Sequence, residues 1–153
     1  MLISYFDSSL LLSILLNEQR AKEASAIWKN SQIRISSILL KFETNIALRR
    51  HYEQLKNRVD SDWLEAKLLE LNNFFNELFF ADIDDSFENS VSVYYKNLFK
   101  CKSLDAIHLA TALNARKNPN NKSIRICSFD KNMLAIAKLL GLETNCQNPD
   151  NPD

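Results

Sequence analysis

Short apolar runs alternate with amphipathic helical segments along this chain, and that alternation constrains the fold more than any other feature. "LISYF" (2–6) reads as a buried strand ending at Asp7, with a helix opening near Ser8 in "SSLLLSILL". "AKEASAIWKN" continues as a second helix. "SQIRIS" (31–36) reads as a strand with Ile33 and Ile35 on one face. Ser36 or Ser37 is then expected to cap the helix "SILLKFETNIALRRHYEQ". "SDWLEAKLLELNNFFNELF" repeats Trp63, Leu64, Leu68, Leu71, Phe75 and Leu78 at helical spacing. "FFADI" (79–83) is the third strand, "SFENSVSVYYKNLF" reads as helix, and Ser103 is expected to cap the helix that carries Asp105. "SIRICSF" (123–129) is the fourth strand, "KNMLAIAKLL" a helix stopped at Gly141, and "LET" (142–144) a short fifth strand. Apolar strands separated by helices predict a parallel sheet covered on both faces. The expected fold is therefore α/β: one three-layer α/β/α domain over residues 1–145, with a polar, frayed tail at 146–153.

Composition removes several function classes. The chain of 153 residues holds a single glycine, Gly141, so the glycine loops that cradle nucleotide phosphates are excluded. Hydrophobic residues at 46 % allow a real core. Lys plus Arg and Asp plus Glu both number 19, which leaves any nucleic-acid contact to a local patch. Cys101, Cys127 and Cys146 form no CxxC pair, which fits unpaired thiols in a reducing cytoplasm. No apolar run approaches the ~18 residues of a membrane span, and no secretion signal is read at the N-terminus.

Four acids fall where elements meet: Asp7 after the first strand, Glu43 in the helix after the second, Asp105 in a first helical turn, and Asp130 after the fourth strand. In a parallel sheet these positions gather at the carboxyl ends of the strands, where sites are built. Helix N-termini ease a crowd of carboxylates without neutralising it, and like charges held together call for a cation. A site made of carboxylates suits Mg²⁺ or Mn²⁺, whose chemistry on anionic substrates is phosphodiester hydrolysis. Each acid alone has a plainer reading: Asp7 and Asp130 as helix caps, Asp105 as a dipole partner, Glu43 as a residue at the edge of its stripe. The coincidence of four favours the site.

"YFDSSLLLSILL", "ISSILLKFETNIALRR", "SLDAIHLATAL" and "ICSFDKNMLAIAKLLGL" resemble, in order, the motif segments of PIN-domain proteins, and most closely VapC-type toxin ribonucleases of toxin–antitoxin pairs. The resemblance runs from about residue 2 to about residue 144, and "DAIHLATA" is its most specific piece. It implies a PIN-like fold with a parallel sheet of about five strands, and a metal-dependent endoribonuclease using Mg²⁺ or Mn²⁺. By motif match Asp7, Glu43, Asp105 and Asp130 are its catalytic acids. Asp7, Asp105 and Asp130 would be the metal ligands, and Glu43 would help hold the metal or orient the attacking water. Ser8 and Ser128 match hydroxyl positions beside the acids. The resemblance further implies an RNA substrate, a cognate antitoxin protein, a homodimer and a cytoplasmic location.

Rival readings are fewer. A non-catalytic PIN-fold module that binds RNA or protein keeps the fold without the chemistry. "ADIDDSF" matches a DxDx[ST] phosphotransferase pattern at Asp82, Asp84 and Ser86, but too little chain follows it for that fold, and a solvated turn explains it. His108 reads as a packed, hydrogen-bonded residue rather than a ligand. Arg49, Arg50, Lys56 and Arg58 read as a solvated face, with Lys100 and Lys102 better placed to meet a substrate backbone. The apolar residues of "WLEAKLLELNNFFNELFF" read as a core helix, or as a groove or dimer contact.

Overall fold

In the computed structural model the described residues are 2–118 and 123–145. Leu2–Phe6 forms β1, Ile33–Ser37 β2, Phe79–Ala81 β3, Ser123–Cys127 β4 and Glu143–Thr144 β5. They join in one sheet of order β3-β2-β1-β4-β5, and every pairing is parallel. The chain thus steps outward from β1 to β3, then crosses back to β4 on the other side of β1. Right-handed crossovers place the helices of these two halves on opposite faces of the sheet.

The core divides accordingly. On one side, Tyr5, Ile35 and Ile126 pack under Val91, Leu98, Leu109, Leu113 and Met133. These come from α5 (Phe87–Val91), α6 (Tyr95–Leu98), α7 (Ser103–Arg116) and α8 (Lys131–Leu139). On the other side, Phe6 and Cys127 pack under Leu10, Leu11, Trp28, Leu40, Leu48 and Leu71. These come from α1 (Ser8–Leu15), α2 (Ala21–Lys29), α3 (Leu39–Leu55) and α4 (Ser61–Asn76). Phe6 and Trp28 meet with ring centroids 4.7 Å apart, and Trp28 meets Phe74 edge-on at 4.9 Å. Each such buried ring contributes about 1.5–3 kcal/mol from area alone. The direction of the chain reverses between β1 and β4, which makes that junction the topological switch point where α/β sheets bind ligands.

The chain departs from the sequence reading at three places. Ser36 and Ser37 do not cap α3: both belong to β2 and point inward, with Ser36 Oγ donating to Phe6 O at 2.7 Å. Ile38 stands at that helix start without a side-chain cap. Ser103 does not cap α7 either; it is the first helical residue, and extended Lys102 precedes it. The segment 86–99 is not one helix but α5, a 3-10 turn at Ser92–Tyr94, and α6. Serines and β-branched valines break it, with Ser92 Oγ donating to Asn89 O and Ser90 Oγ to the Asn114 side chain. Gly141 does end α8, at φ +70, and its N–H donates to Lys138 O. The tail at 146–153, with Cys146, lies outside the described residues. No helix among the described residues is long and apolar enough to cross a membrane.

Candidate active site

Asp7 is the first residue past β1, and its backbone N–H still bonds Cys127 O at 3.1 Å, continuing the ladder onto β4. Its side chain caps α1 and is buried. Oδ2 accepts from Ser9 Oγ at 2.6 Å, Ser128 Oγ at 2.8 Å and Ser9 N at 3.3 Å. Oδ1 has only the long 3.5 Å approach of Ser8 Oγ. One oxygen is therefore fixed by the protein while the other keeps acceptor capacity. Ser128 is fully buried and ties β4 to this carboxylate, and its Oγ also accepts from Asp130 N at 3.0 Å. Ser9 Oγ in turn accepts from Phe129 N at 3.0 Å. Asp7 is a helix cap, and capping holds its carboxylate at the switch point.

Glu43 lies on α3, and its Oε2 accepts from His108 Nε2 of α7 at 2.6 Å. An ionised carboxylate only accepts, so this geometry puts a proton on Nε2. His108 is fully buried, and its Nδ1 lies 2.9 Å from Tyr5 Oη and 3.3 Å from Ser37 Oγ. Burial opposes the charged imidazole, but the Glu43 hydrogen bond and the charges of Asp7, Glu43 and Asp105 outweigh it, raising the His108 pKa. Burial holds the Tyr5 phenol far above its usual range, so it stays neutral. Ligand atoms of Asp7, Glu43 and His108 all lie within 4.8 Å of one another. His108 is thus packed and hydrogen-bonded as expected, but its partner is one of the four acids, which sequence reasoning did not see.

Asp105, at the start of α7, and Asp130, at the start of α8, lie outside that trio of ligand atoms. Partial burial, and then the charges of Asp130 and Asp7, raise the Asp105 carboxyl above the usual carboxylate range, against the pull of His108 and Lys102. Asp130 caps α8 through Oδ1, which accepts from Met133 N at 2.8 Å. The same crowd reaches Cys101, whose thiol is raised by burial and by Asp105 and Asp130. The decoys fall away. Asp84 Oδ1 accepts from Ser86 Oγ at 2.6 Å and from its backbone N–H, forming an exposed turn that leads into α5.

A family model described as PIN domain matches residues 4–139. The chain belongs to the PIN domain family. No curated protein matches it. This PIN domain accordingly has a nuclease-type fold, with Asp7 and Glu43 brought together beside His108. The donors brought together are two carboxylates and an imidazole, with one Asp7 oxygen left uncommitted, a set that fits a divalent cation.

Proposed function

We propose that this chain is an Mg²⁺- or Mn²⁺-dependent endoribonuclease, the toxin of a toxin–antitoxin pair. The observation that carries the reading is the meeting of Asp7, Glu43 and His108 at the switch point, with ligand atoms within 4.8 Å of one another. Asp7, Asp105 and Asp130 are the proposed metal ligands. A cation there supplies charge neutralisation on the phosphate and a more acidic water. Ser9 and Ser128 fix Asp7, so its free oxygen is presented in one orientation. His108 holds Glu43 by one oxygen, leaving Oε1 to orient the attacking water or take its proton.

The toxin assignment rests on the ordered resemblance of four motif segments to VapC-type ribonucleases. It is supported by an apolar groove of about 430 Å³ beside Glu43, lined by Leu12, Leu39, Phe42, Ile46 and Leu104, where an antitoxin segment would seat. Exposed Leu69 and Phe79 offer surface for the homodimer.

The test is cleavage of a mixed RNA pool by purified protein with Mn²⁺, with EDTA, and with Asp7→Ala. Cleavage that needs both the metal and Asp7 is expected, with the variant slower by a factor of about 100 or more. Equal cutting in EDTA, or by the variant, would contradict the reading. A folded protein that cuts nothing would favour the non-catalytic PIN-fold module.

A further inference from the structure

Behind the loop that carries Ser128 lies a second polar cavity, of about 560 Å³. One wall is the face of α2 formed by Arg20, Glu23, Ile27 and Asn30; the other is Arg125 of β4 with Thr144 and Asn145. It shares structure with the acidic centre. Ser128 N donates to Asn145 Oδ1 at 3.0 Å, while Ser128 Oγ donates to Asp7 Oδ2 on the opposite side. Arg20 stacks on the Phe129 ring, its guanidinium carbon 3.7 Å from the centroid.

Two features of this cavity are unexplained by folding. Arg125 is half-buried, yet among the described residues no carboxylate lies within ion-pair reach of it. Both nearby acids are engaged elsewhere. Glu143, its register partner on β5, accepts from Ser123 Oγ, and Glu23 pairs with Arg20 at 2.7 Å. The second feature is Asn145 Nδ2, which is closed to solvent and finds no acceptor among the described residues. Its assignment is not arbitrary, because the Ser128 N–H requires the oxygen on the other arm. A half-buried cation with no acid partner, on the wall of a polar cavity, fits an anion with acceptor oxygens.

Building on the nuclease reading, we propose that this cavity is a subsite for a backbone phosphate of single-stranded RNA, flanking the bond cut at the acidic centre. Arg125 supplies the charge, and Asn145 lines the wall beside it. Because Asn145 also holds Ser128, phosphate in the subsite and Asp7 at the acidic centre are braced by the same residue.

The experiment measures anisotropy of a labelled oligouridylate of about 12 nucleotides on the full chain in EDTA, across a salt series. The proteins are wild type, Arg125→Gln, Arg125→Lys and Asn145→Ala, each checked for folding by circular dichroism. Arg125→Gln is expected to weaken binding about fivefold and to lower the slope of log K against log salt by about 0.7, the value for one phosphate contact on a single strand. Arg125→Lys should retain most of that slope, and it serves as the reference if the glutamine variant misfolds. An unchanged affinity and slope in Arg125→Gln, or a slope lost equally in Arg125→Lys, would overturn the subsite. So would Arg125-dependent binding of millimolar inorganic phosphate with no change in the RNA slope, which would mark a small-anion site instead. Wild-type cleavage is scored separately with Mn²⁺. Cutting with an unchanged slope sinks the subsite alone, whereas neither cutting nor RNA binding sinks both readings.

Discussion

Single side chains at the switch point carry two duties at once. Ser128 bonds Asp7 and Asp130 N, and His108 bonds Glu43 while filling the space between Tyr5 and Ser37. Replacing His108 by Ala would leave a buried phenol without its partner and open a cavity. A loss of about 2–4 kcal/mol is expected by urea unfolding. His108→Gln restores a donor toward Glu43 and should recover part of that stability, with RNA cleavage about 10–100-fold below wild type. Equal activity of His108→Gln and wild type would remove His108 from any role in holding Glu43. Asp7 was legible from sequence because a strand end and a helix start fix its place locally. The His108–Glu43 bond was not, because it joins residues 65 apart on two helices whose approach is set by the whole sheet. Ser9 was passed over for Ser8, although the second serine is the one that reaches Asp7 at 2.6 Å.

Elements obey local rules where local chemistry decides them, and escape those rules where tertiary partners compete. All five strands stand at the runs read as strands; the central β1 is the one buried almost throughout, and the edge strands β3 and β5 are short and partly exposed. Ser36, Ser37 and Ser103 fail to cap for two reasons. Ser36 and Ser37 found tertiary acceptors and stayed in β2, and extended Lys102 took the position before α7. The broken helix at 86–99 follows from weak propensity that apolar periodicity alone does not reveal. Gly141 is the converse case. At φ +70 it closes α8, and a Cβ there would meet only Arg116 Nη1, at an ordinary 3.7 Å. Gly141→Ala should therefore destabilise by about 1–2 kcal/mol through backbone strain alone, read as a shift in the urea midpoint. A neutral result would mean that α8 ends without the left-handed residue.

At the scale of the whole molecule, the crossover at β1 and β4 converts separate sequence motifs into one charged centre. Folding this acidic set together without a counter-ion is unfavourable, so a divalent cation should stabilise the native state and not the unfolded one. Melting temperature should rise with Mn²⁺ over an EDTA baseline. The buried Cys127, whose thiol is pushed up to about 12, should resist alkylation in the folded protein and react once it is unfolded. Peptide mapping after maleimide treatment reads this, and labelling of native Cys127 would contradict the packing of that core. If the acids at the switch point act together on one cation, calorimetric titration of Mn²⁺ separates folded wild type from folded Asp7→Asn/Asp105→Asn. Saturable binding is expected in wild type and lost in the double variant. Binding of equal strength in both, or none in either, would contradict that joint action.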